Sequence, residues 1–159
     1  MATFSIVSNG RIERTFVFFN GEQIAGVKEI FLNINEDGNF DAIIQYQGTD
    51  KKTYAFNIFE DYLINLRVTE PTLSEEEINE LVSLTIESDG TLDNTQVFIN
   101  DEFQEGVVSL YVHIKGANNR EGLRKFFADK YYIPDVPEFF SEIIYRNDDS
   151  SIDKERIFE

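Results

Sequence analysis

FSIVSNGRIERTFVFFNGEQIAGVKEIFLNI, residues Phe4–Ile34, aligns without a gap on LTIESDGTLDNTQVFINDEFQEGVVSLYVHI, residues Leu84–Ile114, at an offset of 80. Identical pairs include Ile6/Ile86, Ser8/Ser88, Gly10/Gly90, Thr15/Thr95, Val17/Val97, Phe18/Phe98, Asn20/Asn100, Glu22/Glu102, Gly26/Gly106, Val27/Val107 and Ile34/Ile114. Ile12/Leu92, Ile30/Leu110 and Phe31/Tyr111 are conservative matches. Glycines, turn residues and apolar residues recur together in one window, which reads as a tandem duplication.

The shared positions have a common physical reading. Phe4, Ile6 and Ser8 alternate as a half-buried strand does. Asn9-Gly10 and Asp89-Gly90 suit a two-residue hairpin turn, in which both central residues take positive φ. The triplets Val17-Phe18-Phe19 and Val97-Phe98-Ile99 suggest a strand buried on both faces. Asn20-Gly21 and Asn100-Asp101 mark the next turn. After Gly26 and Gly106 the alternation resumes through Ile30, Leu32 and Ile34, and through Leu110, Val112 and Ile114. Each copy is therefore expected to open as a meander of three to four antiparallel strands.

Beyond the meander, Phe40–Tyr46 reads as a strand and Gln47–Lys52 as a turn. Thr53–Phe56 suits either a strand or the start of a helix. Phe56, Phe59, Leu63 and Leu66 then fall at helical spacing. In the second copy Arg120–Lys130 has helical propensity, and Pro137 suits the first position of a helix running to about Tyr145. The same offset pairs Phe59 with Phe139, Leu63 with Ile143 and Ile64 with Ile144, which extends the repeat to a closing helix. It also makes Leu123–Phe127 a strand, against its local propensity. Between the copies Ser74-Glu75-Glu76-Glu77 spells a helix capping box, with Ser74 as N-cap and Glu77 reaching back.

The expected fold is therefore α+β: a tandem duplication of a β-meander module, each copy closed by a helix, packed as a pseudo-dimer. The expected boundaries are 1–70 for the first copy, 71–82 for an acidic capped connector helix, 83–146 for the second copy and 147–159 for a flexible tail.

The chain has 159 residues, 15 of them Phe, and no Cys. Large aromatic side chains let a short module close a core. The lack of cysteine excludes disulfides, zinc–thiolate sites and cysteine nucleophiles. Met1–Ser5 has no basic segment leading into an apolar one, and no apolar run reaches the roughly 18 residues of a membrane span. A cytoplasmic protein with no membrane partner is expected.

Net charge is −16, which opposes direct binding to nucleic acid and favours basic protein surfaces. From Val68 to Ile114 there is no Lys or Arg. That stretch carries Glu70, Glu75, Glu76, Glu77, Glu80, Glu87, Asp89, Asp93, Asp101, Glu102 and Glu105, whereas the matching part of copy one holds Arg11, Arg14 and Lys28. These acids are the candidate partner-binding face, read against a plain solvated surface. Carboxylates so displayed can imitate a phosphate path, and the attraction would be sensitive to salt.

Other chemistries find less support. His113, the single histidine, sits within an alternating strand and reads as a surface or partly buried side chain rather than a general base. No Gly-rich phosphate loop is present. Two positioned acids suffice for a glycosidase, but 30 acidic residues give no means of choosing a pair. Asn33–Asp41 spaces oxygen ligands as a calcium loop does, yet Ile44 stands where a bidentate Glu is needed. A hairpin centred on Asp37-Gly38 explains it at less cost. Arg120, Arg124, Lys125 and Lys130 beside Phe126, Phe127, Tyr131 and Tyr132 come nearest to the interleaving of single-stranded nucleic-acid binders, but read as the outer face of a helix or strand, with head-to-tail self-association through this small basic patch as the alternative.

The sequence thus points to a non-enzymatic acidic binding protein without cofactor or metal, a monomer or homodimer that docks on a basic partner. An inhibitor or immunity protein of phage or mobile-element type, acting on a nucleic-acid-processing enzyme, fits that size and charge. The alternatives are an assembly module of a virion or surface particle, and a small-ligand or calcium-binding module.

Overall fold

A computed structural model describes residues 1–116 and 138–158. Its strands are β1 (Ala2–Ser8), β2 (Thr15–Phe19), β3 (Glu22–Ala25), β4 (Val27–Asn35), β5 (Phe40–Gln47), β6 (Thr53–Asn57), β7 (Arg67–Val68), β8 (Val82–Ser88), β9 (Gln96–Ile99), β10 (Glu102–Phe103), β11 (Val107–Lys115), β12 (Glu138–Arg146) and β13 (Ile152–Arg156). One short helix, α1 (Glu75–Glu80), precedes β8. The first sheet has the order β10-β9-β8-β1-β2-β3-β7 and the second β13-β12-β11-β4-β5-β6, and the pairings are antiparallel.

The α+β expectation is overturned, since the described residues are mostly antiparallel strand in two sheets and no helix among them closes either half. Glu138–Arg146, expected as a helix from Pro137, is strand β12. Phe139/Ile143 and Phe140/Ile144 satisfy helical spacing only because a strand with apolar residues on both faces gives a near-continuous apolar run. The supposed helix after Phe56 is β6 followed by turns. There Asp61 Oδ2 accepts from Asn57 N at 2.7 Å and Asn57 Oδ1 accepts from Phe59 N at 3.2 Å. Such local side-chain bonds offer the backbone an alternative to the helix ladder. Arg120–Lys130, with Leu123–Phe127 inside it, lies outside the described residues.

Both sheets take strands from both halves of the chain. At the centre of the first, β1 pairs with β8 and Ser5 faces Thr85. At the centre of the second, β4 pairs with β11 and Leu32 faces Val112. In each facing pair the partners are 80 residues apart, and the Ser5 and Thr85 hydroxyls meet at 2.9 Å. The inner faces share one core, built from Phe4, Ile6, Val17, Leu84, Ile86 and Val97 of the first sheet and Ile30, Leu32, Ile44, Leu110, Val112 and Ile143 of the second.

The repeated turn residues do repeated work. Ser8 and Ser88 are fully buried. Ser8 Oγ accepts from Gly10 N at 3.0 Å and meets Thr15 Oγ1 at 2.8 Å; Ser88 makes the same bonds to Gly90 and Thr95 at the same distances. The connections Asn9–Arg14 and Asp89–Thr95 are longer than the expected two-residue turns, because each contains a 3-10 turn, Ile12–Arg14 or Leu92–Asn94. The type I′ turns fall instead at Asn20-Gly21 and Asn100-Asp101, where all four residues have positive φ. Asn35–Asn39 is a hairpin turn whose positive-φ residue is Gly38, with Glu36-Asp37 as the central pair rather than Asp37-Gly38.

After β4 and β11 the correspondence shifts. Ile30 faces Ile44 across β4–β5, and Leu110 faces Ile143 across β11–β12. The counterpart of β5 is therefore β12, 99 residues on, and that of β6 is β13. Of the expected flexible tail Asn147–Glu159, Ile152–Arg156 forms β13, and Ile157 and Phe158 are buried in the core beside Phe139. Ile157 and Phe158 thus stand where Ile58 and Phe59 stand in the first half.

Candidate partner-binding surface

Equivalent places in the two halves are covered differently, and this difference locates the candidate site. On the outer face of the first sheet, Val7, Phe16 and Phe18 lie beneath Leu73, Ile78 and Leu81 of the α1 segment. The capping box holds that helix: Ser74 Oγ accepts from Glu77 N at 3.2 Å, and Glu77 Oε1 accepts from Ser74 N at 3.3 Å. The counterparts of Val7, Phe16 and Phe18 are Glu87, Gln96 and Phe98. Phe98 meets Phe103 of β10 at 5.7 Å between ring centroids, and Phe103 is 52% exposed. An aromatic pair thus lies at the open edge of the first sheet among carboxylates.

A second difference lies at the ends of the sheets. In the first half, Asn65–Val68 runs along β3 and over the β5–β6 turn. β7 pairs Val68 with Ile24 and Arg67 with Ala25. Thr49 N donates to Asn65 O at 2.9 Å, Asn65 Nδ2 donates to Asp50 Oδ2 at 3.3 Å, and Tyr46 Oη donates to Ile64 O at 2.6 Å. In the second half the equivalent place is a groove of about 610 Å³ lined by Glu105, Gly106, Arg146, Asn147, Asp148, Asp149 and Ser151. Tyr145, the counterpart of Tyr46, donates instead to Gln104 Oε1 at 2.7 Å. A neighbouring apolar cleft of about 270 Å³ opens between the sheets, lined by Ile34, Leu92, Val97, Phe103, Val107 and Leu110 among others. Its counterpart in the first half holds only about 90 Å³.

Gly26 and Gly106 shape both places, because the chain passes from the first sheet to the second there. Their φ values are +80 and +73. Gly26 O accepts from Gln47 N, and Gly106 O accepts from Arg146 N, each at 2.8 Å. A bulge follows each glycine, at Val27/Glu29 and at Val107/Ser109.

The groove is acidic. Arg146 forms a two-pronged pair with Glu36, at 2.7 and 2.8 Å. The Arg146 hydrogen bond holds the Glu36 carboxyl below its ordinary range, and the same bond raises the guanidinium. Asp149 is likewise held low, first by the Ser151 hydroxyl at 2.6 Å and then by the Ser151 N–H at 2.9 Å. With Arg146 already engaged, Glu105, Asp148 and Asp149 set the sign of the groove.

The predicted acids do not form one compact patch. Glu70, Glu75, Glu76 and Glu80 are exposed on the α1 segment, while Glu77 is engaged in the cap. Glu87 lies on β8, half-buried. Asp89 and Asp93 lie at the far end of β8, in the connection to β9. Asp89 is committed to that turn through Thr91 N, Thr91 Oγ1 and Asn94 Nδ2 at 2.9, 2.6 and 2.8 Å, with the Thr91 hydroxyl contributing most to holding it low. Asp101 and Glu102 lie at the near end, where Asn100 Oδ1 accepts from Ser83 N at 3.0 Å. Glu105 stands at the groove. Sequence reasoning missed Glu36, Arg146, Asp148, Asp149 and the exposed Phe103. A match at an offset of 99, in which Phe40, Ile44, Tyr46, Asp50, Ile58 and Phe59 recur as Phe139, Ile143, Tyr145, Asp149, Ile157 and Phe158, would have placed Arg146, Asp148 and Asp149 opposite Gln47, Thr49 and Asp50; it carries no signal for Glu36 or Phe103.

His113 is fully buried rather than at the surface, on the outer face of the second sheet, with Nε2 2.7 Å from Glu29 Oε2, also buried. Gln45 and Lys115 are buried on the same face. Among the described residues no group of three or more His, Asp or Glu could hold a metal. At Asn33–Asp41, Asn35 Oδ1 accepts from Asp37 N at 3.0 Å, as a turn residue does. No described helix is long and apolar enough to cross a membrane. Comparison with protein-family models, curated proteins and solved structures gives no match.

Proposed function

We propose that this chain is a non-enzymatic binding protein whose second half docks on a basic protein surface. The observation that carries this reading is the contrast between equivalent places. The first half covers its sheet face with α1 and its sheet edge with β7, whereas in the second half no described strand pairs with the outer edge of β10, and Phe103 there is exposed, flanked in the chain by Glu102 and Glu105. The exposed Phe103, with the half-buried Phe98 beside it, supplies anchoring area, and the carboxylates of Glu102 and Glu105 select the sign of the partner. Natural sheets blunt their edges with short strands and charges, and β10 has both features, so the edge is guarded against indiscriminate pairing while open to a complementary partner.

The test is capture from an extract of the source organism on immobilised wild-type protein and on the double variant Glu102→Lys, Glu105→Lys. The wild type is expected to retain a basic protein that raised salt releases and that the variant loses. Recovery of the same proteins by both, or of nothing basic by either, would overturn the reading.

A further inference from the structure

The first half of the molecule offers a template for the second half's groove. Asn65–Val68 lies over Ala25, Gly26, Gln47, Thr49 and Asp50. Their counterparts Glu105, Gly106, Arg146, Asp148 and Asp149 line the open groove. The backbone is set for pairing. Gln104 N donates inward to Val97 O at 2.9 Å, so alternation turns the Phe103 and Glu105 backbone groups away from β9. The same alternation on β3 lets Gln23 O accept from Thr69 N at 2.9 Å.

We infer that an extended segment of the basic partner adds to β10 as a strand, antiparallel to it, as β7 adds to β3. This rests on the docking reading above and specifies its form. Each position of the template states what the segment must carry. Arg67 stands opposite Ala25, and the second half has Glu105 there, so a Lys or Arg at that point forms an opposite-charge cross-strand pair. Asn65 donates its amide to Asp50, and Asp149 offers the same carboxylate to an Asn. Thr49 N donates to Asn65 O, and Asp148 N occupies the corresponding place. Arg146 does not oppose the incoming cation strongly, since both its prongs rest on Glu36. The preferred segment therefore resembles Asn-Leu-Arg-Val, with main-chain bonds for affinity and alternate side chains for specificity.

The probe is a synthetic peptide of the chain's own Ile64–Thr69 sequence, INLRVT, flanked by lysines, and the same peptide with glutamate in place of arginine. Binding to the full chain is followed by NMR titration and by amide exchange. The arginine peptide is expected to bind in a salt-dependent way and to protect the Glu105 amide. The glutamate peptide is expected to bind about tenfold more weakly. Glu105→Pro removes the outward N–H and is expected to abolish binding. Glu105→Lys, which keeps the N–H, is expected to weaken the arginine peptide and strengthen the glutamate peptide, so the inference stays testable if the proline variant does not fold. If basic peptides bind but Glu105 is unprotected and both variants bind equally, strand addition is overturned while basic docking survives. If no basic peptide binds, both fall. Self-association that protects the Glu105 amide without peptide would make a second copy the occupant and overturn the inference.

Discussion

Replacing Gly106 by alanine tests whether the glycine at the crossing between sheets is required by backbone conformation alone or also by close approach. Gly106 has φ +73, and an added Cβ would stand 2.7 Å from Arg146 O. Gly21 has φ +84 with nothing within 4 Å. Both substitutions pay the left-handed penalty of roughly 1–2 kcal/mol. Only Gly106→Ala also pushes a backbone carbonyl of β12 aside, and Arg146 N is hydrogen-bonded to the same glycine. Overpacking of that kind costs about 1–3 kcal/mol. Gly21→Ala should therefore lose about 1–2 kcal/mol and Gly106→Ala about 2–5 kcal/mol, read from urea unfolding midpoints at unchanged slope. Gly26→Ala should behave like Gly106→Ala, because its Cβ would meet Gln47 O at 2.7 Å. Equal losses at Gly21 and Gly106 would refute the close-approach argument. Because Gly106 and Arg146 both line the groove, Gly106→Ala should also weaken the arginine peptide, which Gly21→Ala should leave unaltered.

Ser8→Ala and Ser88→Ala should each cost about 1–3 kcal/mol, since each removes a buried hydroxyl that accepts from a turn N–H and meets a threonine hydroxyl. Near-equal losses are expected from the equal geometry, and a neutral result at either in thermal unfolding would show that the circuit there is dispensable. Burial pushes the Tyr46 phenol up to about 12, with smaller contributions from Tyr54 and Asp50. The folded state then keeps a proton that the unfolded chain releases near its ordinary value of 10. Stability from this group is whole below pH 10 and declines as pH rises toward about 12. Tyr46→Phe should be less stable at neutral pH, having lost the bond to Ile64 O, yet show a shallower alkaline decline. Parallel unfolding curves for the two proteins between pH 9 and 12 would contradict this.

The parts of the fold legible in the sequence were those encoded locally. Asn20-Gly21, Gly26 and Gly106 require backbone conformations that few residues tolerate, and Ser74 with Glu77 forms a cap within one turn. The alternation from Phe4 to Ile34 marks strands because one face of each is buried. The expected second closing helix fails because β12 has apolar residues on both faces, which erases the period-two signal, and the first because Asn57 and Asp61 hold turns after β6. The tail was misread because β13 is exposed along its length, so Ile152–Arg156 carries no hydrophobic pattern, and the buried Ile157 and Phe158 are too short a signal alone. The acidic stretch was legible as composition. Its division between α1, the two ends of β8 and the groove was not.

Sequence by itself determined where the first strands reverse, with the turns at Asn20-Gly21 and Asn100-Asp101, and the recurrence of these strands 80 residues later, because φ requirements and face alternation are properties of neighbouring residues; it did not determine the length of the Asn9–Arg14 and Asp89–Thr95 connections. Tertiary structure decided that the halves interleave in two sheets rather than pack as separate bodies. That outcome depends on β1 meeting β8 and β4 meeting β11, pairings between residues 74 to 86 apart that no local pattern specifies. It also decided where one half is covered and its counterpart, among the described residues, open. Covering is a relation between distant segments, as when Asn65–Val68 lies along β3, and the open groove became visible only once Gly106, Arg146 and Asp149 stood together.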